Sequence, residues 1–210
     1  MAPAAGVSGH IDRIAVIAEH VPLYIGIEPR HTSDMLPATF RTARLSLRPI
    51  AMADAGPIFA AYSRNPEVTQ FLIWRPHRTR QDIEAYIRSC LHTPPHRART
   101  YVLLGRKDSV IRGCLDLRRA DRHRLEFGYV LARAFWGQGL MTEALTEIVR
   151  WGLSQPSIFR ISAVCDVENI GSARVMEKSG LVREGLLKRY LIHPSISSEP
   201  RDCFSYARVR

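Results

Sequence analysis

A strand, a tight glycine turn and an amphipathic helix follow one another between residues 128 and 155, and this segment restricts the fold more than any other. The turn contains Gly137 and Gly139, two glycines within three residues. Glycine lets the backbone adopt left-handed conformations and come close to a ligand. The first amides of a helix lack intrahelical acceptors and lie at its positive end. The segment therefore predicts a cradle for phosphate or pyrophosphate.

The turn alone leaves a second explanation open, because many strand-to-helix turns use glycine for steric reasons. A dinucleotide-binding motif would need a third glycine where Thr142 stands. A P-loop would need Gly-Lys-Ser/Thr, and the sequence contains no such run. The meaning of the turn therefore depends on the residues that follow it.

A predicted strand at residues 160–166 follows the helix, and next comes Asn-Ile-Gly-Ser-Ala-Arg-Val-Met-Glu-Lys-Ser-Gly-Leu at residues 169–181. With the turn, this combination resembles the GNAT N-acetyltransferases, most closely the branch of the ribosomal-protein N-terminal acetyltransferases (RimJ/RimL). The resemblance extends over residues 39–209. It also includes an opening strand, a first helical pair and the closing strands, at residues 42–49, 65–68, 74–77, 184–188 and 201–206.

The resemblance implies a single α/β domain, with a mixed and mostly antiparallel sheet, two splayed central parallel strands and flanking helices. We expect the N-acetyltransferase domain to comprise residues 39–210. Residues 1–38 are rich in Ala, Gly and Pro and form an N-terminal extension in this interpretation. Disorder, a packed appendage and a misassigned start codon all remain open explanations for it.

Local patterns agree with this architecture. Thr79 and Asp82 have the spacing of a capping box and predict a helix to about Leu91. Alternating apolar residues predict three consecutive antiparallel strands, and the long helix 139–155 then makes the next strand parallel to the last. The three predicted strands are residues 100–106, 110–118 and 124–131.

The resemblance implies acetyl-CoA as co-substrate and no metal. Its pyrophosphate would lie on the glycine turn, and its pantetheine arm would lie between the splayed strands. The residues expected to bind it lie on the strand before the turn, in the turn, or at the start of a following helix. They are Tyr129, Val130, Leu131, Trp136, Gly137, Gln138, Gly139, Leu140, Met141, Thr142, Asn169 and Ser172.

Acetyl transfer needs a base for the amine, and Glu126 is the best-placed candidate. It is the carboxylate in an otherwise apolar strand, where the family often has one. The alternative is a structural glutamate paired with Arg118 or Arg124. Gly128 within the same strand is consistent with a β-bulge that exposes a backbone N–H.

The departing thiolate needs a proton donor. The wider family often has a tyrosine where Met176 stands, and methionine cannot donate a proton. Ser172 is therefore the candidate acid, although a serine near a helix start also serves as a cap. Asn169 is expected to contact the cofactor or to order the adjacent turn.

The acceptor is expected to be a primary amine, with a protein N-terminus as the leading choice and Trp74 and His77 as substrate contacts. A small amine, such as an aminoglycoside-like antibiotic, a polyamine or an amino acid, is the alternative within enzymes. A module that only senses acetyl-CoA, or a basic RNA- or ribosome-associated protein, is the alternative outside them. The strands at residues 183–190 and 201–208 could also pair two copies into a homodimer.

Composition adds limits to these expectations. The 210 residues are 46% apolar and 24% charged, with a net charge of +10. The basic residues are dispersed, which favours a solvated surface over direct nucleic-acid binding. Glu19 and Pro22 interrupt the longest apolar run, at residues 14–27, so neither a membrane span nor a signal peptide is expected. The four cysteines lack metal or disulfide spacing, which indicates reduced thiols and a cytoplasmic protein.

Overall fold

The computed structural model describes residues 35–210. The strands are β1 (Phe40–Arg41), β2 (Leu45–Pro49), β3 (Ala98–Gly105), β4 (Ile111–Arg119), β5 (Arg124–Leu131), β6 (Arg160–Asp166), β7 (Val182–Leu191) and β8 (Arg201–Val209). The helices are α1 (Ala55–Ile58, continued by a π turn over Phe59–Ser63), α2 (Pro66–Thr69), α3 (Arg80–His92), α4 (Leu140–Ser154) and α5 (Ile170–Lys178). Short 3₁₀ turns lie at Met52–Asp54 and Arg133–Phe135.

All eight strands form one sheet in the order β1-β2-β3-β4-β5-β6-β8-β7. Only β5 and β6 are parallel among these neighbours, and the other pairs are antiparallel. The predicted fold class is therefore confirmed: a mixed, mostly antiparallel sheet with one parallel pair and flanking helices. The three predicted antiparallel strands correspond to β3, β4 and β5.

Side chains alternate between the two faces of the sheet, and each face has its own core. On the first, which we call the α3 face, α1 and α3 pack on the sheet, and the Tyr62 hydroxyl donates a hydrogen bond to Sγ of Cys114 (2.9 Å). On the second, the α4 face, α4 and α5 pack over residues such as Leu125 and Phe127. From Cys114 onward in β4, and along β5, even-numbered residues thus face α3 and odd-numbered ones face α4.

The local signals for helix ends are confirmed. Thr79 caps α3, accepting a hydrogen bond from the Asp82 amide while the Asp82 side chain accepts one from the Thr79 amide. Helix α4 begins just after Gly139, as predicted. Helix α1 is followed without a break by the π turn over Phe59–Ser63.

Residues 1–34, and with them the apolar run at 14–27, lie outside the described residues. The packed domain extends slightly before residue 39. Leu36 is buried in the α4-face core, and the Tyr101 hydroxyl donates to the Pro37 carbonyl oxygen (2.7 Å). The domain boundary at residue 39 and the homodimer both stay predictions.

Two strand glycines provide a test of how tightly the sheet is packed. A Cβ added at Gly113 would lie 2.1 Å from the backbone oxygen of Val130, whereas one added at Gly128 meets nothing within 4 Å. We expect Gly113→Ala to lower the free energy of unfolding by about 1–3 kcal/mol, because a backbone oxygen cannot move aside cheaply. Gly128→Ala is the matched control and should change it by less than about 1 kcal/mol. Urea unfolding of both variants measures the difference, and equal losses would contradict this packing.

Candidate acetyl-transfer site

The site is built around a gap between β5 and β6. These strands pair only at Arg124↔Arg160, Leu125↔Ile161 and Glu126↔Ser162. Beyond these pairs β5 continues for five residues along β4, and β6 continues along β8. The backbone of β5 after Glu126 thus has no strand partner on its β6 side. Unpaired backbone groups of this kind can bind an extended ligand, which fits the predicted position of the pantetheine arm at Tyr129, Val130 and Leu131.

The predicted bulge at Gly128 is wrong. The β4–β5 register runs without a shift from Gly113↔Leu131 to Arg119↔Leu125. The physical reason is that the divergence of β6 already exposes this side of β5. A bulge is not needed to free a backbone N–H there.

The glycine turn has the geometry of an anion cradle. Gly137 and Gly139 have φ angles of 73° and 70°, in the left-handed region that side chains disfavour. Gly139 is the N-cap residue of α4, and no side chain caps this helix. The amides of the first turn of α4 therefore lack intrahelical acceptors, and the turn before them is exposed. This arrangement fits the pyrophosphate of acetyl-CoA.

The predicted cofactor residues of the turn have two roles. Some can contact a ligand only through their backbone amides, and others use their side chains to hold the turn in shape. Leu140 and Met141 have buried side chains, so only their backbone amides can face a ligand. The Trp136 indole N–H donates to the Leu131 carbonyl oxygen (2.6 Å), and the side-chain amide of Gln138 donates to the Ala134 carbonyl oxygen (2.9 Å). These two side chains therefore hold the turn in shape. Thr142 follows on the first turn of α4.

Sequence reasoning missed a contact that braces the turn from outside. The guanidinium of Arg44 donates to a carboxylate oxygen of Glu143 (2.6 Å) and to the Gln138 carbonyl oxygen (2.9 Å). The Arg44 amide also donates to Glu143 (2.8 Å). Both residues stand within motifs of the resemblance, but their separation of 99 positions hides the contact from sequence patterns.

Ser172 and Tyr129 meet across the opening of the gap. Their side-chain oxygens are 2.8 Å apart, and the Tyr129 hydroxyl also lies 3.2 Å from the Ser172 carbonyl oxygen. Asn169 caps α5 by accepting a hydrogen bond from the Ser172 amide (3.1 Å). The cap is thus Asn169, which leaves the Ser172 hydroxyl to Tyr129. Burial raises the pKa of Tyr129, so its phenol stays protonated.

Glu126 is paired with Arg118, as expected from the alternative in which this glutamate is structural. Oε2 of Glu126 lies 3.2 Å from Nε of Arg118, and Nη1 of Arg118 also contacts Asp116 (3.1 Å). The Glu126 side chain is still 37% exposed. Its other oxygen, Oε1, has no hydrogen-bond partner within residues 35–210. Burial raises the pKa of Asp116, which accepts a hydrogen bond from the Thr100 hydroxyl (3.1 Å).

The two predicted catalytic residues lie on opposite faces of the sheet. Glu126 is on the α3 face with Asp116 and Arg118, because these residues alternate with buried leucines. Ser172 contacts Tyr129 on the α4 face. The gap between β5 and β6 is the route that connects them. An amine entering from the α3 face and a thioester held on the α4 face would meet inside it.

The predicted substrate contacts Trp74 and His77 lie together beside a cavity. Their rings are 4.5 Å apart, and His77 lines a cavity of about 710 Å³. Residues of α2, of the segment 75–78 and of the loop after β7 form its wall: Pro66, Glu67, Gln70, Arg75, Pro76, His77, Arg78 and Ser195. Burial lowers the pKa of His77, so the ring is neutral near pH 7. The wall includes neither Glu126 nor the glycine turn.

Three further features concern the cysteines, metal ligands and helix lengths of the described residues. The four cysteines are free, and three are buried. Within residues 35–210 no group of His, Cys, Asp or Glu could hold a metal ion. No helix in the described part of the chain has the length and apolar character needed to cross a membrane.

Comparison with known proteins agrees with this geometry. A family profile described as "Acetyltransferase (GNAT) domain" matches residues 44–182. The uncharacterized N-acetyltransferase p20 of Bacillus licheniformis is 28% identical over 72% of this chain and 86% of its own length. Two solved structures share the fold. One is RimL, a ribosomal L7/L12 alpha-N-protein acetyltransferase in complex with CoA (TM-score 0.69, 21% identity, 83% of this chain and 97% of that chain). The other is spermidine N-acetyltransferase from Vibrio cholerae with CoA and spermine (TM-score 0.65, 18% identity, 79% and 95%).

The glycine turn makes a direct prediction about ligand binding. Acetyl-CoA should raise the melting temperature by binding only the folded state, and NADH or ATP should do so much less. Gly139→Val should abolish this shift, because valine disfavours a φ of 70° and would therefore distort the backbone of the cradle. Gly185→Val in β7 is the control, since an added Cβ there meets nothing within 4 Å. An unchanged shift in the Gly139 variant would place the cofactor elsewhere.

Proposed function

The chain belongs to the GNAT acetyltransferase family, and from this premise we propose that it acetylates the α-amino group of a protein. As a family member it is an acetyl-CoA-dependent N-acetyltransferase. Acetyl-CoA supplies an acetyl group on a thioester. The amides at the start of α4 hold the pyrophosphate in this proposal, and the unpaired edge of β5 holds the pantetheine arm.

The chain's own residues manage two protons. Glu126 takes a proton from the acceptor ammonium on the α3 face, which frees the nitrogen lone pair to form the new N–C bond as the C–S bond breaks. The nitrogen loses its second proton as the amide forms, and this proton is balanced by the one that converts the CoA thiolate into the thiol. Ser172 donates a hydrogen bond to the departing sulfur on the α4 face. The Tyr129 hydroxyl and the Ser172 hydroxyl are 2.8 Å apart and either can be the donor; when Tyr129 donates, the Ser172 proton is free for the sulfur. Both substrates are bound at once, so positioning contributes much of the rate.

The charge of the cavity supports a protein acceptor over a polyamine. The wall contains Arg75 and Arg78, both exposed. Glu67 in the same wall is neutralised by Arg133 (2.7 Å). A cationic acceptor such as spermidine or an aminoglycoside would be repelled there. A peptide brings one ammonium group and can place it at Glu126 while its later residues pass the cavity.

A panel of acceptors tests this assignment. Purified protein with acetyl-CoA should release CoA with peptides that carry a free N-terminus. Release should be absent with the same peptides after N-terminal blocking, which is the matched control. We expect kcat/KM for spermidine and for an aminoglycoside to be at least about tenfold lower, corresponding to about 1.4 kcal/mol of discrimination. Faster turnover of either polycation than of every peptide would overturn the proposal.

Glu126→Gln tests the base. The substitution keeps the side-chain size, so acetyl-CoA affinity should persist while kcat falls by about 10²–10⁴. The acidic limb of the pH–rate profile should also disappear, because that limb reports protonation of the base. Ser172→Ala should reduce kcat by less, because a CoA thiolate leaves tolerably well near neutral pH.

Glu84→Gln is the matched control for Glu126→Gln. Glu84 is on α3 and pairs with Arg80 (3.0 Å) outside the gap, so its loss should leave the pH profile unchanged. Near-normal activity of the Glu126 variant with an intact acidic limb would make Glu126 a structural partner of Arg118. Proton removal would then fall to water or to another group.

A further inference from the structure

We propose that the cavity beside α2 binds carboxylates of the acceptor, so that the preferred substrate is a peptide with acidic residues shortly after its N-terminus. This inference rests on the proposed function and specifies its substrate class. The assigned subsite consists of Arg75 and Arg78, with His77 between them. It is separate from the residues that carry the acetyl transfer.

The first support is the pairing state of the arginines. Arg44, Arg48, Arg133, Arg160 and Arg201 each form a short contact with a carboxylate. The guanidinium groups of Arg75 and Arg78, by contrast, have no ion-pair or hydrogen-bond partner in the described part of the chain. Two unpaired cations in one cavity wall create a positive potential that favours an anionic ligand.

The second support is the fixed segment between the two arginines. The His77 amide donates to the Ser63 carbonyl oxygen (2.9 Å). The His77 ring lies against Trp74, with the ring centroids 4.5 Å apart. Arg75 and Arg78 are exposed and flank this anchored residue, so a ligand meets cations on a segment whose backbone is already ordered, which lowers the entropic cost of binding.

The position of the cavity suits the residues that follow an acetylated amine. Val68 of α2 packs in one buried cluster with Ala132, directly after β5. On the other side, buried His193 lies 3.6 Å from Asp166, the last residue of β6, and its carbonyl oxygen accepts hydrogen bonds from amides of the loop that carries Ser195. The cavity thus lies beside the carboxyl ends of the two parted strands. Its volume of about 710 Å³ is in the range of ligand sites.

The number of unpaired cations in the cavity wall favours a ligand with a few carboxylates over a polyanion. Arg133 is engaged by Glu67 and also stacks over the Trp136 ring (4.8 Å). It is therefore not available to a third anion. Glu67 itself would repel a continuous phosphate backbone. Two separate carboxylates match the two free arginines.

A pair of isosteric peptides tests the subsite. One carries Asp and Glu after an N-terminal Ala, and the other carries Asn and Gln at the same positions. With wild-type protein, KM for the acidic peptide should be about 2- to 30-fold lower, the range expected for two exposed ion pairs. The advantage should shrink as salt is added. Arg75→Gln combined with Arg78→Gln should remove the difference between the two peptides.

Arg88→Gln is the matched control, because Arg88 is an exposed arginine of α3 outside the cavity wall. It should retain the wild-type preference. Equal KM values for the two peptides with wild-type protein would overturn the proposal, as would a preference that survives in the double variant. Competition by AMP that depends on Arg75 and Arg78 would also overturn it, in favour of a nucleotide site.

Calorimetry separates this inference from the proposed function. If neither peptide is acetylated, the proposed function fails, and binding of the acidic peptide is then titrated without turnover. Binding that the double variant loses would keep the anion site. Absence of charge-dependent binding would overturn the anion site as well.

Discussion

The early parting of β5 and β6 is the constraint on which the rest of the site depends. Three residue pairs join these strands, and the sheet then opens while both strands continue along their other neighbours. Unpaired backbone groups in a protein interior are costly, so an opening in the middle of a sheet needs compensation. Here β6 pairs with β8 from Arg160↔Val209 to Asp166↔Cys203, and β5 keeps its full ladder with β4. The sheet is therefore stable on both sides of the gap between β5 and β6, and this gap forms a slot that an extended ligand can fill.

The contacts that frame this slot come from distant parts of the chain. Arg44 precedes β2 and clamps the glycine turn through Glu143. At the other end of the slot, Arg201 of β8 donates to Asp166 (2.6 Å) at the end of β6. Burial alone would raise the pKa of Asp166, but the hydrogen bonds from Arg201 and the Glu168 amide lower it. These ion pairs join separate elements, so they define the shape of the slot more than they add to net stability.

Much of the fold was predictable because its signals are local. The capping box at Thr79, the alternation in β4 and β5 and the apolar stripe of α4 each lie within one element. The site was predictable only in part. The resemblance located the residues, but the Tyr129–Ser172 hydrogen bond joins positions 43 apart and the Arg44–Glu143 pair joins positions 99 apart. The bulge at Gly128 was wrong for a related reason, since a glycine in a strand indicates free space without saying which neighbour has moved away.

The structure changes how the basic composition is interpreted. A net charge of +10 suggests a polyanionic partner when it is considered alone. However, arginines such as Arg44, Arg160 and Arg201 connect strands and helices through carboxylates, and these cations would have to give up those carboxylates to bind a ligand. What distinguishes Arg75 and Arg78 is therefore their lack of a carboxylate partner in the described chain, together with their place in a cavity wall. For a chain rich in arginine, the unpaired cations indicate a partner better than the total charge does.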